Sequence, residues 1–414
     1  MDQTKIKELI GFLRDLRTPL RLLPMLLSIV LTVIRRITEQ DETPGVKVLK
    51  QSFLCRKSAQ TPAGCASPCV TECADGSFAA AFAYADVENS RIVTRVCVVR
   101  GRDSEGLGFT PRQTVYETCL SPENLTITDT AHGLFLTWDN RGGRSFAAPQ
   151  TFGKAVAEAL EKTTAELREA ACADLGWHCA LIPKGGEKAM EPHKMAVSAA
   201  QPPIKLNDNE LLFVTAQNGK AVVTRCLLPT CQTQAVSAIA LPPKENLVCL
   251  EATAAKLKNG RLAAVLNLSG ELFYAFSDDM GVRWSRCSPM KIKASAPNLC
   301  VRADGAAALS YLVPGKTLAI HARTSPDGEQ DWSEERTVVA APAADFYRPV
   351  TTGCGDAFLT VSRQRYGADR APSALLTRWI DPGRADKEEN AESAVQAETA
   401  KQHEQNLKNS QKST

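Results

Sequence analysis

The chain has 414 residues, of which 44% are hydrophobic and 23% are charged. Its 49 Lys and Arg residues nearly balance 46 Asp and Glu residues, which leaves a formal net charge of +3. This composition excludes collagen and a wholly disordered chain, and the length fits two or three ordinary domains or one large β architecture. The Lys and Arg residues form no concentrated block, so we expect no nucleic-acid partner.

The amino terminus contains an apolar run, Leu22 to Ile34, of 13 uncharged residues. A helix that crosses a bilayer needs about 20 residues, whereas a shorter run suits a signal-peptide core or a short anchor. Arg35 and Arg36 follow at once, without a visible small-residue cleavage site. We therefore predict that residues 1–45 form a membrane-targeting segment with an apolar helix. It would anchor the protein outside the cytoplasm, in the periplasm or at the cell surface. A buried or interfacial helix is the alternative.

The 14 cysteines do not have the spacing of a zinc module, because no CxxC pair occurs, and no HExxH motif is present. We therefore expect no metal and no other cofactor. The cysteines are either buried thiols that pack as small apolar residues or several disulfides of an exported protein. Export from a eukaryotic host would also make Asn124-Leu125-Thr126 and Asn267-Leu268-Ser269 candidate glycan acceptors.

A turn signal followed by an apolar strand recurs six times along the body of the chain. The six instances begin near Asp75, Gly133, Asp208, Asn259, Asp304 and Gly355. Asn-Gly and Asp-Gly pairs favour the positive φ angles of tight hairpins, so each instance indicates a two-strand corner. Units of about 45–55 residues have the length of a four-stranded propeller blade. The spacing therefore predicts an all-β, six-bladed propeller, and six unrelated hairpins in a sandwich are the alternative.

Two segments depart from this strand pattern. Residues Lys154 to Ala173 are helix formers with apolar spacings of three and four, which predicts one amphipathic helix inserted at about 152–175. From about Pro382 the sequence has almost no large apolar residues, so residues 384–414 are predicted to be a polar disordered tail. The propeller itself is expected to span residues 46–383.

A second motif lies in phase with the repeat. Residues Ser277 to Trp284 fit the pattern S-x-D-x-G-x-x-W, the Asp-box. The Ser and Asp side chains of such a turn can bond its backbone amides, and the Gly permits a left-handed conformation. We therefore expect Asp279 to stabilise a hairpin rather than to act in catalysis. Looser copies occur at Ser325 to Trp332 and around Asp103 and Asp139.

From about Cys65 to Pro382 the chain resembles the sialidase-like (neuraminidase, BNR-repeat) six-bladed propellers. The stretch SPCVTECADGSFAAAF resembles the first strand pair of that family. LEATAAKLKNGRLAAVLNLSGELFYAFSDDMGVRWS resembles the part from the family's catalytic Glu to an Asp-box, and DFYRPVTTGCGDAFLTVSRQR resembles the part that carries its nucleophilic Tyr. The resemblance covers about three quarters of the chain.

The resemblance implies a sialidase-like exo-glycosidase that acts on terminal sialic acid or a related acidic sugar of glycoconjugates, with retention of configuration. Tyr347 matches the nucleophile, Glu251 the residue that takes the phenol proton, and Asp86 is the plausible general acid. The family also binds the substrate carboxylate with three arginines. Sialylated glycans would be the partner.

Two positions depart from the family pattern. Where the first clamp arginine precedes Ile-Pro, this chain has Ala66-Ser67-Pro68, and where the second ends an apolar strand, it has Asn267. Arg348, Arg363 and Arg365 lie near Tyr347 in sequence and are candidates for a relocated substrate-binding clamp. A second hypothesis is therefore a catalytically decayed propeller that acts as a carbohydrate-binding or protein-interaction module. Convergence of two or more arginines with Tyr347 and Glu251 in one pocket would favour the enzyme.

Overall fold

The computed structural model describes thirteen stretches of the chain between residues 43 and 382. They are residues 43–55, 65–88, 91–101, 109–118, 120–141, 174–186, 188–197, 199–243, 246–313, 316–329, 331–340, 344–366 and 372–382. These stretches contain 24 β-strands in six four-stranded antiparallel sheets. The predicted six-bladed, all-β propeller is therefore confirmed.

The six sheets follow one another along the chain, and each is one blade. The first three blades are β2 (Cys65–Glu72), β3 (Phe78–Glu88), β4 (Arg91–Arg100) and β5 (Gln113–Thr118); β6 (Ser121–Thr130), β7 (Gly133–Arg141), β8 (Gly176–Pro183) and β9 (His193–Lys194); and β10 (Ile204–Asn207), β11 (Glu210–Gln217), β12 (Lys220–Leu227) and β13 (Gln232–Ile239).

The fourth blade is β14 (Cys249–Lys256), β15 (Leu262–Leu268), β16 (Glu271–Ser277) and β17 (Ser288–Lys293), and the fifth is β18 (Ser295–Val301), β19 (Ala307–Val313), β20 (Lys316–Ser325) and β21 (Arg336–Ala340). The sixth blade is β22 (Ala344–Cys354), β23 (Ala357–Tyr366), β24 (Pro372–Ile380) and β1 (Lys47–Cys55). The amino-terminal strand β1 thus pairs with β24 and completes the last blade, which closes the ring.

The six turn signals of the sequence occupy one equivalent place. Each lies at the hairpin between the first and second strand of a blade, from the β2–β3 turn near Asp75 to the β22–β23 turn at Gly355. Several of their glycines have positive φ angles, for example +78° at Gly76 and +88° at Gly260. The repeat therefore marks the inner hairpin of every blade.

Burial decreases from the inner strands of a blade to its outer strand. All seven residues of β15, LAAVLNL, are buried, whereas β13 at the outer edge of its blade has a single buried residue. Strands β3 and β15 are rich in fully buried alanines. Small side chains let neighbouring blades approach closely where both faces of a strand are covered. Apolar residues on both faces explain why these strands lack polar alternation.

Side chains link the inner strands of successive blades. Thr253 Oγ1 accepts a hydrogen bond from the Leu299 N–H (3.1 Å), which joins β14 to β18. The Thr351 N–H donates to Asn298 Oδ1 (2.8 Å), which joins β18 to β22. Asn298 Nδ2 also donates to Gln201 Oε1 (2.9 Å), across the centre of the ring. These bonds satisfy buried polar groups that the strand ladders leave unpaired.

The Asp-box forms the turn between β16 and β17. The hydroxyl of Ser277 donates to Asp279 Oδ1 (3.0 Å) and accepts from the Gly281 N–H (2.9 Å). Asp279 Oδ1 also accepts from the Arg283 N–H (2.8 Å), and Trp284 Nε1 donates to the Gly281 carbonyl (3.0 Å). These bonds hold the turn together, which is the structural role expected for Asp279.

One of the looser copies has the same geometry and another does not. In the β20–β21 turn, the Gly328 N–H donates to Ser325 Oγ (3.0 Å) and the Glu329 N–H donates to Asp327 Oδ1 (2.8 Å). Asp139 instead lies within strand β7, so its assignment to an Asp-box was wrong. The copy at Asp103 lies outside the described residues.

The predicted helices fall on parts of the chain that the structure leaves undescribed. The amino-terminal apolar helix and the polar tail lie outside the described residues, as does the helical insert apart from its last two residues, 174–175. Within the described stretches, no helix has the length and apolarity that a membrane crossing requires.

Candidate functional site

Five of the inner strands have a register shift near their start, and we call the end of the ring where these strands begin the mouth of the propeller. The shifts lie between Ala66 and Cys69 in β2, Glu123 and Thr126 in β6, Cys249 and Glu251 in β14, Ser295 and Asn298 in β18, and Tyr347 and Val350 in β22. Ser67, Asn124 and Ala296, within three of these shifts, have φ angles of +46°, +53° and +50°. A bulge of this kind redirects a side chain out of the sheet.

The redirected residues line one cavity of about 380 Å³ at this end of the ring. Its polar lining residues are Ser67, Glu123, Asn124, Glu251, Arg348 and Arg363, and its apolar ones include Pro68, Leu125, Ala296, Leu312 and Val350. A larger concavity of about 740 Å³ lies beside the end of β1 and contains none of the residues named from the sequence. We consider the smaller cavity to be the candidate site, because the charged groups converge there.

Glu251 is held from two blades. Asn267, directly opposite on β15, donates from Nδ2 to Glu251 Oε2 (2.8 Å). The Ala296 N–H, from the bulge of β18 in the next blade, donates to the same oxygen (2.7 Å). Asn267 therefore binds Glu251, whereas the arginine that the family has at this place would bind substrate.

Arg348 spans the mouth from the sixth blade. Its Nη1 donates to Asn124 Oδ1 (2.7 Å) on β6 and to the Ala200 carbonyl (2.7 Å) ahead of the third blade. Burial lowers the pKa of Arg348 from its usual value, and the negative charge of Glu251 opposes that shift.

The cavity also contains a second carboxylate, Glu123, that the sequence analysis missed. Glu123 lies 3.4 Å from Arg141 Nη1, and Arg141 Nε pairs with Asp139 at 2.6 Å. Two carboxylates, Glu123 and Glu251, therefore face two arginines, Arg348 and Arg363, among the described lining residues. Their formal charges cancel. Glu123 and Asn124 lie near the start of β6. The other inner strands carry their site residues near their own starts. This equivalent position in the repeat was the sequence signal that could have identified Glu123 and Asn124.

The structure places the six residues named from the sequence as follows. Glu251, Arg348 and Arg363 line the cavity together. Tyr347 is directly opposite Arg363 in the β22–β23 ladder, and Arg365 is opposite Asp345. Asp86 lies near the carboxyl end of β3. Because β3 is antiparallel to β2, this end lies beside the start of β2, on the mouth side of the blade. The side chains of Tyr347, Asp86 and Arg365 lie outside the described part of the structure.

The two candidate glycan acceptors have other contacts in the folded chain. Asn267 is 2% exposed and its amide is bonded to Glu251, so it cannot carry a glycan in this fold. Asn124 lines the cavity and accepts a bond from Arg348. Among the described residues, no group of three or more His, Cys, Asp or Glu side chains converges as metal ligands would.

Comparison with known proteins identifies relatives by structure but not by sequence. No protein-family model and no curated protein matches the chain. The structure is similar to a Dyadobacter fermentans protein of unknown function, with a TM-score of 0.60 and 14% identity over 81% of this chain and all of that chain. A sialidase from Streptococcus pneumoniae matches with a TM-score of 0.54 and 10% identity over 80% of this chain and 70% of that one.

An α-L-arabinanase from Penicillium chrysogenum, solved with arabinobiose, matches with a TM-score of 0.50 and 10% identity, over 81% of this chain and 98% of that one. At these identities the likeness establishes the fold alone. The resemblance to sialidase-like propellers is thereby confirmed at the level of fold.

Proposed function

We propose that this protein is a retaining exo-glycosidase that removes a terminal sialic acid or a related acidic sugar from glycoconjugates. The observation that carries the proposal is the convergence of Glu251 with two arginines, Arg348 and Arg363, in one cavity at the mouth. A volume of about 380 Å³ is at the small end of the range for ligand pockets, which suits one sugar ring. The Gln201–Asn298–Thr351 hydrogen bonds lie one or two residues deeper along the inner strands and favour a closed floor.

The reaction would proceed in two displacements. Glu251 takes the proton of the Tyr347 phenol, and the phenol oxygen bonds to the anomeric carbon while the glycosidic bond breaks. Asp86 protonates the departing oxygen. Water, deprotonated by Asp86, then attacks the anomeric carbon from the opposite face; the bond to the tyrosine oxygen breaks, and Glu251 returns its proton to that oxygen, which gives net retention. Arg348 and Arg363 would orient the sugar carboxylate through charge-assisted hydrogen bonds.

A fluorogenic sialoside assay tests the proposal. Because Ala66 and Asn267 stand where the family has two clamp arginines, we expect turnover below about 1 per second. Tyr347→Phe should abolish it, since the nucleophilic oxygen is removed. Release of the sugar with inverted configuration, or activity that tolerates Tyr347→Phe, would refute this mechanism.

A second candidate is a carbohydrate-binding module that has lost catalysis. The hydrogen bonds of Glu251 favour this candidate, because Asn267 Nδ2 and the Ala296 N–H already donate to its Oε2. Calorimetry distinguishes the two candidates. Binding of an acidic monosaccharide without any hydrolysis, and with equal affinity in Tyr347→Phe, would support the module.

We further propose that residues 1–45 tether the domain to a membrane on its extracytoplasmic side, on the basis of the apolar run Leu22–Ile34. Membrane fractionation of the full-length chain and of a chain that lacks residues 1–42 tests the tether. Recovery of the unprocessed full-length chain in the soluble fraction would contradict it.

A further inference from the structure

Asn267 and Glu251 form one rigid unit at the edge of the cavity. They are directly opposite in the β14–β15 ladder, and the Nδ2–Oε2 distance is 2.8 Å. Asn267 is 2% exposed, so water does not compete for this bond. A buried hydrogen bond to a charged partner is stronger and shorter than a neutral one. The amide therefore restricts where the carboxylate can lie.

The orientation of the Asn267 amide is fixed by the hairpin that follows it. The Gly270 N–H donates to Asn267 Oδ1 (2.8 Å), and Ser269 and Gly270 take φ angles of +51° and +97° in that hairpin. An asparagine whose oxygen accepts a backbone N–H must present its NH₂ group on the other side. The donor thus faces Glu251.

Both bonds to Glu251 reach the same oxygen. Asn267 Nδ2 and the Ala296 N–H donate to Oε2, and none of the described residues donates to Oε1. Because Glu251 lines the cavity, the protein side of its carboxylate is occupied and Oε1 is left for the proton transfer. A base aligned in this way needs no reorganisation at the moment of reaction.

We propose that Asn267 is a positioning residue for Glu251, which holds Oε1 as the atom that receives the phenol proton of Tyr347. This inference rests on the proposed function. The proton moves from the phenol to Oε1, the phenol oxygen bonds to the anomeric carbon, and the electron pair of the glycosidic bond goes to the leaving oxygen. Asn267 acts through Glu251, to which its Nδ2 donates.

The test compares Asn267→Ala and Asn267→Asp with the wild-type protein. Misplacement of a reacting group by about 1 Å costs on the order of 100-fold in rate, so Asn267→Ala should lower kcat by about 10- to 100-fold with KM changed less than about 3-fold. Asn267→Asp keeps the acceptor for Gly270 but places a second carboxylate beside Glu251. That charge disfavours the ionised base, so the acid limb of the pH–rate profile should move to higher pH.

Asn140→Ala is the matched control. Asn140 is also a buried asparagine near the mouth end of the second strand of a blade, but it donates to Asp174 instead of to a cavity residue. We expect Asn140→Ala to lower thermal stability and to leave kcat within about 3-fold. In a Glu251→Gln background, Asn267→Ala should cause no further loss of kcat, because the two residues act as one unit.

The outcomes separate this inference from the proposed function. If the wild-type protein is active, two results overturn the positioning role alone. One is a kcat that is unchanged in Asn267→Ala. The other is a double variant in which the losses of kcat from Asn267→Ala and Glu251→Gln multiply. A wild-type protein without glycosidase activity overturns the proposed function and this role with it. If Asn267→Ala does not fold, Asn267→Asp decides: a pH–rate profile identical to that of the wild type overturns the role.

Discussion

The hydrogen bonds across the centre of the ring allow us to predict how much stability the protein loses when Asn298 is replaced. Asn298→Ala removes the donor to Gln201 Oε1 (2.9 Å) and the acceptor of the Thr351 N–H (2.8 Å). Asn298, Gln201 and Thr351 are all less than 5% exposed, so water cannot replace the lost partners. Each buried polar group left unpaired costs about 1–3 kcal/mol. Asn298→Ala should therefore lower the free energy of unfolding by about 2–6 kcal/mol.

Asn207 provides a matched control for this experiment. Its side chain also makes two hydrogen bonds, from Nδ2 to Glu210 (2.7 Å) and from the Asn209 N–H to Oδ1 (2.9 Å), but it is exposed. Water can replace both partners, so Asn207→Ala should cost less than about 1 kcal/mol. Urea unfolding followed by tryptophan fluorescence and circular dichroism measures both changes. Equal losses in the two variants would refute the reasoning, because they would mean that the centre of the ring is hydrated.

Three further predictions concern the site, the Asp-box and the thiols. Tyr347→Phe should reduce sialoside turnover far more than Asp279→Asn, whose side chain holds a turn, and the reverse order in the fluorogenic assay would show that the site is misplaced. A backbone amide and a hydroxyl in that turn hold the pKa of Asp279 below its usual range. Its contribution to stability is thus present above the unfolded pKa of about 3.9 and is lost as pH falls through the folded pKa. The difference in melting temperature between wild type and Asp279→Asn should shrink below about pH 4, and a constant difference from pH 7 to pH 3 would contradict this. A hydrogen bond with Cys179 lowers the pKa of Cys231, whereas burial raises the pKa of Cys287 to about 11. Iodoacetamide at about pH 7.5 should therefore alkylate Cys231 faster than Cys287, as measured by peptide mass spectrometry, and faster labelling of Cys287 would contradict this order.

The blade count was predictable because the signal repeats. Six Gly- or Asn-containing turns mark the same inner hairpin, and the positive φ of Gly76 or Gly260 is a local requirement that a sequence displays directly. The closing role of β1 was not predictable in the same way. Its pairing with β24 joins residues more than 300 positions apart, and no local pattern in KVLKQSFLC encodes that partner.

The candidate site was predictable only in part, for a related reason. Glu251 was named from its match to a family segment, and Arg348 and Arg363 were named because they lie near Tyr347 in the sequence; all three line one cavity. Glu123 and Asn124 were missed because no family segment matches them. The bond from Asn267 to Glu251 depends on the register of β14 and β15, and the bond from the Ala296 N–H depends on a bulge in β18; a linear motif contains neither.

Register shifts explain how a repeated blade acquires a specific site. An unbroken ladder would place the side chains of each inner strand alternately on its two faces, between neighbouring blades. A shift near the start of the strand interrupts this alternation and turns Asn124, Glu251 or Arg348 toward the cavity. Deeper in the ring β18 and β22 supply Asn298 and Thr351, which bond to one another, and the Asn298 amide group donates to Gln201. Any selectivity of the cavity would therefore come from the placement of a few groups at the mouth. The balance of two carboxylates against two arginines gives little long-range attraction for an anion, so the proposed recognition of an acidic sugar would rest on short bonds from those two arginines.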